Sequence, residues 1–193
     1  MFDTIQFPYN YVATIQATAL LLTIYDRPLH WQYLIYLLYL SDREHLICYG
    51  SPITGDTYIC LEGKPTLLCT AELLHYSTPN IISILQNPRT KWHHYFSLPN
   101  PQGKVKIITH PGDTELSSSI KSAIQEVFRT CHQFDLYALE RWCYSLSECE
   151  DRGYLRLIEI SELLAKNGYE LEDLIAIKND ADTEYYFAKI ENN

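Results

Sequence analysis

Asp42 and His45 stand three residues apart in "YLSDREHLICYGSPITGDTYICLEG", residues 39–63, the densest polar stretch of an otherwise apolar chain. On a helix that spacing puts both side chains on one face, as in carboxylate–histidine metal sites. Such sites need further ligands from other helices, commonly a second motif of the same kind, and no second one is visible. The alternative is a histidine held by a local carboxylate near a helix C-terminus, where the helix dipole favours it. His93 and His94 are neighbours in an aromatic-rich segment that reads as a strand, so they would point to opposite faces. Cys131 and His132 are consecutive on an expected helix, about 100° apart, which is poor geometry for a thiol–imidazole pair. The chain contains no GxSxG, P-loop, GxGxxG after a strand, or HExxH. A Cys/His or Asp/His enzyme is therefore the weaker class, and neither a metal nor an organic cofactor is expected.

The elements that position these residues can be read from periodicity. Asn10 to Tyr25 is helical, with Val12, Ile15, Ala19, Leu20 and Leu22 near the three-to-four spacing and Asn10 as N-cap. Asp26 is expected to cap a second helix with Pro28 in its first turn, running from about Leu29 to Cys48. Its middle, Tyr33 to Leu40, is apolar on every face, which predicts a helix surrounded by protein. Gly50 then stops it in a left-handed conformation and Pro52 prevents continuation. Thr57 to Leu61 reads as a strand, Pro65 to Tyr76 as a helix, and Asn80 to Gln86 as another short one. Lys91 to Leu98 and Val105 to Thr109, joined by a Pro-Asn-Pro-Gln-Gly turn, read as a hairpin. Thr114 to Ser118 offers caps for a helix reaching about His132. Further helices are expected near Leu136 to Leu146, Ile158 to Asn167 and Leu171 to Ile177. The sum is an α+β fold, mainly α-helical: a single domain, core about residues 10–180, with a central buried helix and a small antiparallel hairpin or sheet.

Composition narrows the function classes. At 193 residues the chain can bury a sizeable core, and with 47% hydrophobic and 20% charged residues it reads as globular. The net charge of −9 opposes phosphate, so direct nucleic-acid binding is disfavoured, and no additional helix-turn-helix segment is seen ahead of the domain. The same charge would suit a basic protein partner, although it is also ordinary for a soluble protein. The six cysteines (Cys48, Cys60, Cys69, Cys131, Cys143, Cys149) include no CxxC pair, and the start has no basic-then-apolar leader. Free, mostly buried thiols in a reducing cytoplasmic setting are expected. The greasiest runs, Ala17 to Tyr25 and Tyr33 to Leu40, fall short of the roughly 20 residues a spanning helix needs, so no membrane partner is expected. Tyr33, Tyr36 and Tyr39 share a helix face and read as core, while others of the 16 tyrosines must be exposed and could serve a protein interface.

A longer pattern runs through the opening stretch. "LLYLSDREHLICYGSPITGDTYICLEGKP" resembles the signature of the Panacea domain, the SocA-like antitoxin family. In that family a helix ending like K-L-L-Y-L-A-D-R-x-H-L-x-x-Y-G leads into P-I-T-G-D-x-Y and a Gly-Pro turn. Leu37 to Leu40, Asp42, Arg43, His45, Leu46, Tyr49 and Gly50 match in order, and Pro52, Ile53, Thr54, Gly55, Asp56 and Tyr58 continue the match. "TELSSSIKSAIQEVF" is similar to the family's L-S-x-S helix start. Two departures stand out: Tyr36 replaces the basic residue ahead of Leu-Leu-Tyr, and the Gly-Pro-Val turn appears as Gly63-Lys64-Pro65. The resemblance implies a non-catalytic antitoxin that binds and neutralises a cognate protein toxin encoded beside it. A proteolytic adaptor or phage-type accessory protein, delivering a partner to a protease complex, is the alternative on the same scaffold. Ten signature positions, Asp42, Arg43, His45, Tyr49, Gly50, Pro52, Thr54, Gly55, Asp56 and Tyr58, are then candidate partner-binding residues, with Asp42 and Arg43 expected to tie the 51–56 loop back to the helix.

Overall fold

A computed structural model describes residues 4–74, 88–149 and 155–191. Helix α1 (Tyr11–Tyr25) starts where the Asn10 side chain accepts the Ala13 N–H at 3.0 Å. It ends at Asp26, which is left-handed (φ 49°) and donates its N–H to Thr23 O. Asp26 therefore terminates α1 rather than capping the next helix. Residues Leu29–His30 form a short strand, β1, and the N-cap of α2 (Trp31–Tyr49) is His30, whose ring accepts the Gln32 N–H. Pro28 lies before that strand and outside the helix.

Helix α2 is the axis of the molecule. Every residue from Tyr33 to Asp42 is buried, as its all-round apolar sequence demands. It packs against α1, against α5 (Ser118–Cys131) and α6 (Leu136–Tyr144), and against the sheet. Gly50 closes it at φ 76°, its N–H returning to Leu46 O.

The sheet is antiparallel, in the order β3-β2-β5, from β2 (Tyr58–Leu61), β3 (Lys64–Leu67) and β5 (Leu155–Leu157). Glu62 and Gly63 join the first two strands with φ of 52° and 79°, the double left-handed geometry whose twist suits a two-residue hairpin. Residues 65–67, expected as the start of a helix, are thus strand. Pro65 is tolerated because β3 is an edge strand, and the helix α3 (Leu68–Leu74) follows it. The expected helix at 80–86 and the last residues of the 65–76 helix lie outside the described residues. Strand β5 has no strong pattern of its own and was not anticipated; it exists because β2 offers it an open edge, with Ile59 opposite Leu157 and Leu61 opposite Leu155.

The expected 91–98 strand is instead helix α4 (Pro88–Tyr95). Trp92 and Phe96 sit four residues apart, are both fully buried, and bring their rings to 4.5 Å. That helical spacing was hidden in an aromatic run that also fits a period of two. Of the expected hairpin there remain the Phe96–Ile107 bridge and main-chain bonds such as Ser97 N–H to Lys106 O, and β4 (Lys104–Val105) pairs with β1, Leu29 opposite Val105. The turn before it is built by Asn100, whose side chain accepts the Gln102 and Lys104 N–H groups. Helices α5, α6 and α7 (Ile160–Lys166) lie close to their expected places, and α8 (Leu171–Glu191) runs far past Ile177. Among the described residues beyond it only Ala181 is buried, so no apolar rhythm announces the extension. Mainly helical, with a three-stranded antiparallel sheet and the two-stranded β1–β4 pair, the fold is α+β.

Candidate functional site

The loop after α2 is held by two buried carboxylates. Asp42, fully buried near the end of α2, accepts four hydrogen bonds. Its Oδ1 takes the main-chain N–H groups of Ile53 (2.8 Å) and Thr54 (2.7 Å). Its Oδ2 takes the hydroxyls of Thr54 and, at 3.0 Å, Tyr58. Burial pushes its carboxyl up to about 6, against the pull of those donors, so the group is ionised at neutral pH. Asp56 repeats the device on the other side of the loop. Its oxygens accept the N–H groups of Thr57, Cys69 and Thr70 and the Thr70 hydroxyl, all at 2.7–2.8 Å. Asp56 therefore anchors the first turn of α3. Burial raises its carboxyl as well, offset by its donors.

Between them Gly55 lies at φ 61°, where a Cβ would fall 2.1 Å from Pro8 O. Only glycine lets the loop press against the segment before α1, and the Asn10 N–H donates to Thr54 O at 2.7 Å to close that contact. The Tyr58 ring meets Tyr39 edge-on at 5.4 Å in the core behind.

Arg43 does not join this loop, contrary to the expectation from sequence. Its Nε and Nη2 reach Glu148, at 2.5 and 3.3 Å, and Tyr39 Oη donates to the same carboxylate at 2.9 Å. Burial alone would raise the Glu148 carboxyl, but the Arg43 hydrogen bonds and charge outweigh it and hold it below its ordinary range. The 147–149 turn is fastened to α2 by this fork, 105 residues away in sequence. Nothing in the sequence marks Glu148 as the partner, since the acidic stretch around it looks like ordinary solvated surface.

Asp42 and His45 are not brought together either. His45 Nδ1 lies 2.6 Å from Ser51 O and Nε2 lies 3.1 Å from Ser119 Oγ at the start of α5. Burial lowers the imidazole pKa, so the ring is neutral at neutral pH. Of the ten signature positions only Tyr49 is exposed, its ring 4.8 Å from that of His45. Asp42, His45, Thr54, Asp56 and Tyr58 are buried, while Arg43, Gly50, Pro52 and Gly55 are half-buried.

The remaining chemistry-bearing residues stay apart. His93 and His94 project from α4, and His132 bonds Arg129 O rather than the adjacent thiol. All six cysteines are free, and burial pushes the thiols of Cys69 and Cys131 up to about 12 and 11, away from nucleophilic thiolates. Among the described residues no cluster of three or more His, Cys, Asp or Glu side chains could hold a metal, and no helix is long and apolar enough to cross a membrane.

One apolar surface adjoins this scaffold. A groove of about 450 Å³ opens between α2 and the outer face of the sheet, lined by Trp31, Ile35, Tyr36, Ile59, Leu61 and Leu68. Strand register carries that face outward through Leu155 and Leu157, which are exposed.

No curated protein and no solved structure matches the chain. The family described as antitoxin SocA-like, Panacea domain, matches residues 34–148, which run from α2 through the sheet hairpin to the Glu148 turn. Because that match spans more than half of the chain, including both buried carboxylates and the Arg43–Glu148 fork, the protein belongs to the antitoxin SocA-like, Panacea domain family.

Proposed function

We propose that the protein is an antitoxin that neutralises a cognate toxin, encoded beside it, by direct protein–protein contact and without catalysis. Family membership carries this reading. The arrangement of the signature supports a binding role. Asp42, Arg43, Thr54, Asp56 and Tyr58 are consumed in holding α2, the 51–56 loop, α3 and the 147–149 turn together, so they build a scaffold. The contact surface we assign is the outer face of the sheet, where Leu61, Leu155 and Leu157 lie exposed beside the apolar groove. Contiguous exposed apolar surface of this kind suits a protein partner.

Co-expression tests the reading. The adjacent gene product, expressed alone, should arrest growth, and co-expression of this chain should relieve the arrest with the two proteins co-purifying. A harmless neighbour, or relief that requires a protease while no stable complex forms, would overturn it.

A further inference from the structure

We propose that Ser119 is a nucleophilic serine, with His45 as its general base, which accepts an acyl or phosphonyl group from an activated electrophile. This goes beyond toxin binding and does not depend on it.

A row of hydrogen bonds with a single direction carries the argument. A main-chain carbonyl can only accept, so the 2.6 Å contact between Ser51 O and His45 Nδ1 requires the proton of the neutral ring to sit on Nδ1. Nε2 is then a bare acceptor. The Ser119 hydroxyl, 3.1 Å away, must donate to it. With its proton committed, Ser119 Oγ accepts from the Ser117 hydroxyl at 2.8 Å, and Ser117 Oγ in turn accepts the Ile120 N–H as the α5 cap. Nucleophile, base and an orienting third group follow in the order that activates serine hydroxyls elsewhere, here with a backbone carbonyl in the place of the usual carboxylate.

The surroundings fit an attack from solvent. Ser119 is half-buried, Ser117 and Ser118 are exposed, and the exposed Tyr49 ring stands against the imidazole at 4.8 Å. Ile120 N–H is taken by Ser117 Oγ and Lys121 N–H by Ser117 O. Ser118 and Ser119 open the first turn of α5, where the positive end of the helix dipole favours a developing negative charge. In the step, Ser119 Oγ bonds to the electrophilic carbon or phosphorus, its proton passes to His45 Nε2, and the leaving group departs with the bond's electron pair. The imidazolium then returns the proton to the leaving group or to water.

A fluorophosphonate probe supplies such an electrophile: a P–O bond forms at Ser119, the P–F bond breaks, and fluoride leaves. The folded full-length chain should acquire one adduct, mapped to Ser119 by peptide mass spectrometry and abolished in Ser119→Ala. His45→Gln should leave the adduct site unchanged and lower the labelling rate by about 100-fold or more, the usual contribution of a positioned general base. Circular dichroism establishes that each variant is folded, and Ser119→Ala leaves the Ser117 cap in place should His45→Gln prove unstable. An absence of adduct, labelling elsewhere that Ser119→Ala does not remove, or equal rates in native and urea-unfolded protein would overturn the assignment.

Discussion

Replacing Asp42 separates a structural carboxylate from an incidental one. Asp42→Ala removes the acceptor of two main-chain N–H groups, Ile53 and Thr54, which cannot turn away, and of two hydroxyls, which can. Each buried donor left unpaired costs about 1–3 kcal/mol, so the two fixed amides alone cost about 2–6 kcal/mol. That is a large part of a typical stability of about 5–15 kcal/mol. Asp42→Asn behaves differently. Its amide oxygen can take the Oδ1 position while its NH2 meets the Thr54 and Tyr58 hydroxyls, which rotate to accept. It also spares the fold a buried charge. Because the folded carboxyl titrates at about 6 against 3.8 for the free group, the folded state holds the proton more tightly. Stability contributed here is full below about pH 4 and falls as pH rises to about 6, by about 3 kcal/mol at 1.36 kcal/mol per pH unit. Urea unfolding followed by tryptophan fluorescence should show Asp42→Ala destabilised by at least 2 kcal/mol at pH 7. Asp42→Asn should lie within about 1 kcal/mol of the wild type at pH 7 and gain on it between about pH 4 and pH 6, with little further change above. An alanine variant within 1 kcal/mol of the wild type, or an asparagine variant as damaged as alanine with no pH trend, would refute the reasoning.

Other expectations rest on separate contacts. Arg43→Ala leaves the buried Glu148 carboxylate without its counter-charge and should cost about 3–5 kcal/mol in denaturant unfolding. Adding Glu148→Met to Arg43→Met should recover about 1–2 kcal/mol of the single-variant loss, and a double variant less stable than either single would contradict a desolvated pair. Gly55→Ala must place a Cβ against Pro8 O at positive φ, so a loss of at least about 2 kcal/mol is expected in the same assay. Iodoacetamide at pH 8 should modify the exposed Cys48 in the native protein and reach the four buried thiols, Cys60, Cys131, Cys143 and Cys149, only after unfolding. Rapid native labelling of Cys131 or Cys143 would contradict their burial.

The helices that are buried on all sides or strongly one-sided were legible in the sequence, because their burial leaves a rhythm. Tyr33 to Leu40 announced a central helix, and Gly50 and Asn10 marked ends that the backbone confirms. Elements defined by a partner were not. Strand β5 is three residues long and exists only as the neighbour of β2, and β3 was mistaken for helix because Pro65 hides an edge strand. The aromatic run at 92–96 satisfies both periods, and tertiary packing of Trp92 and Phe96 chose the helix. Asp42, Thr54, Asp56 and Tyr58 lie in one local stretch of sequence, which is why a resemblance could single them out. Glu148 and Ser119 lie 105 and 74 residues from their partners Arg43 and His45, a distance over which spacing carries no information.

The account turns on whether this chain grips the neighbouring gene product through the sheet face. Isothermal titration of the purified product, catalytically disarmed if needed, against this chain measures it directly. The account predicts a complex that the Leu61→Asp, Leu157→Asp double substitution weakens at least 100-fold, about 2.7 kcal/mol, with an unchanged melting temperature. No measurable binding to the wild-type chain, or equal affinity for the double variant, would contradict it.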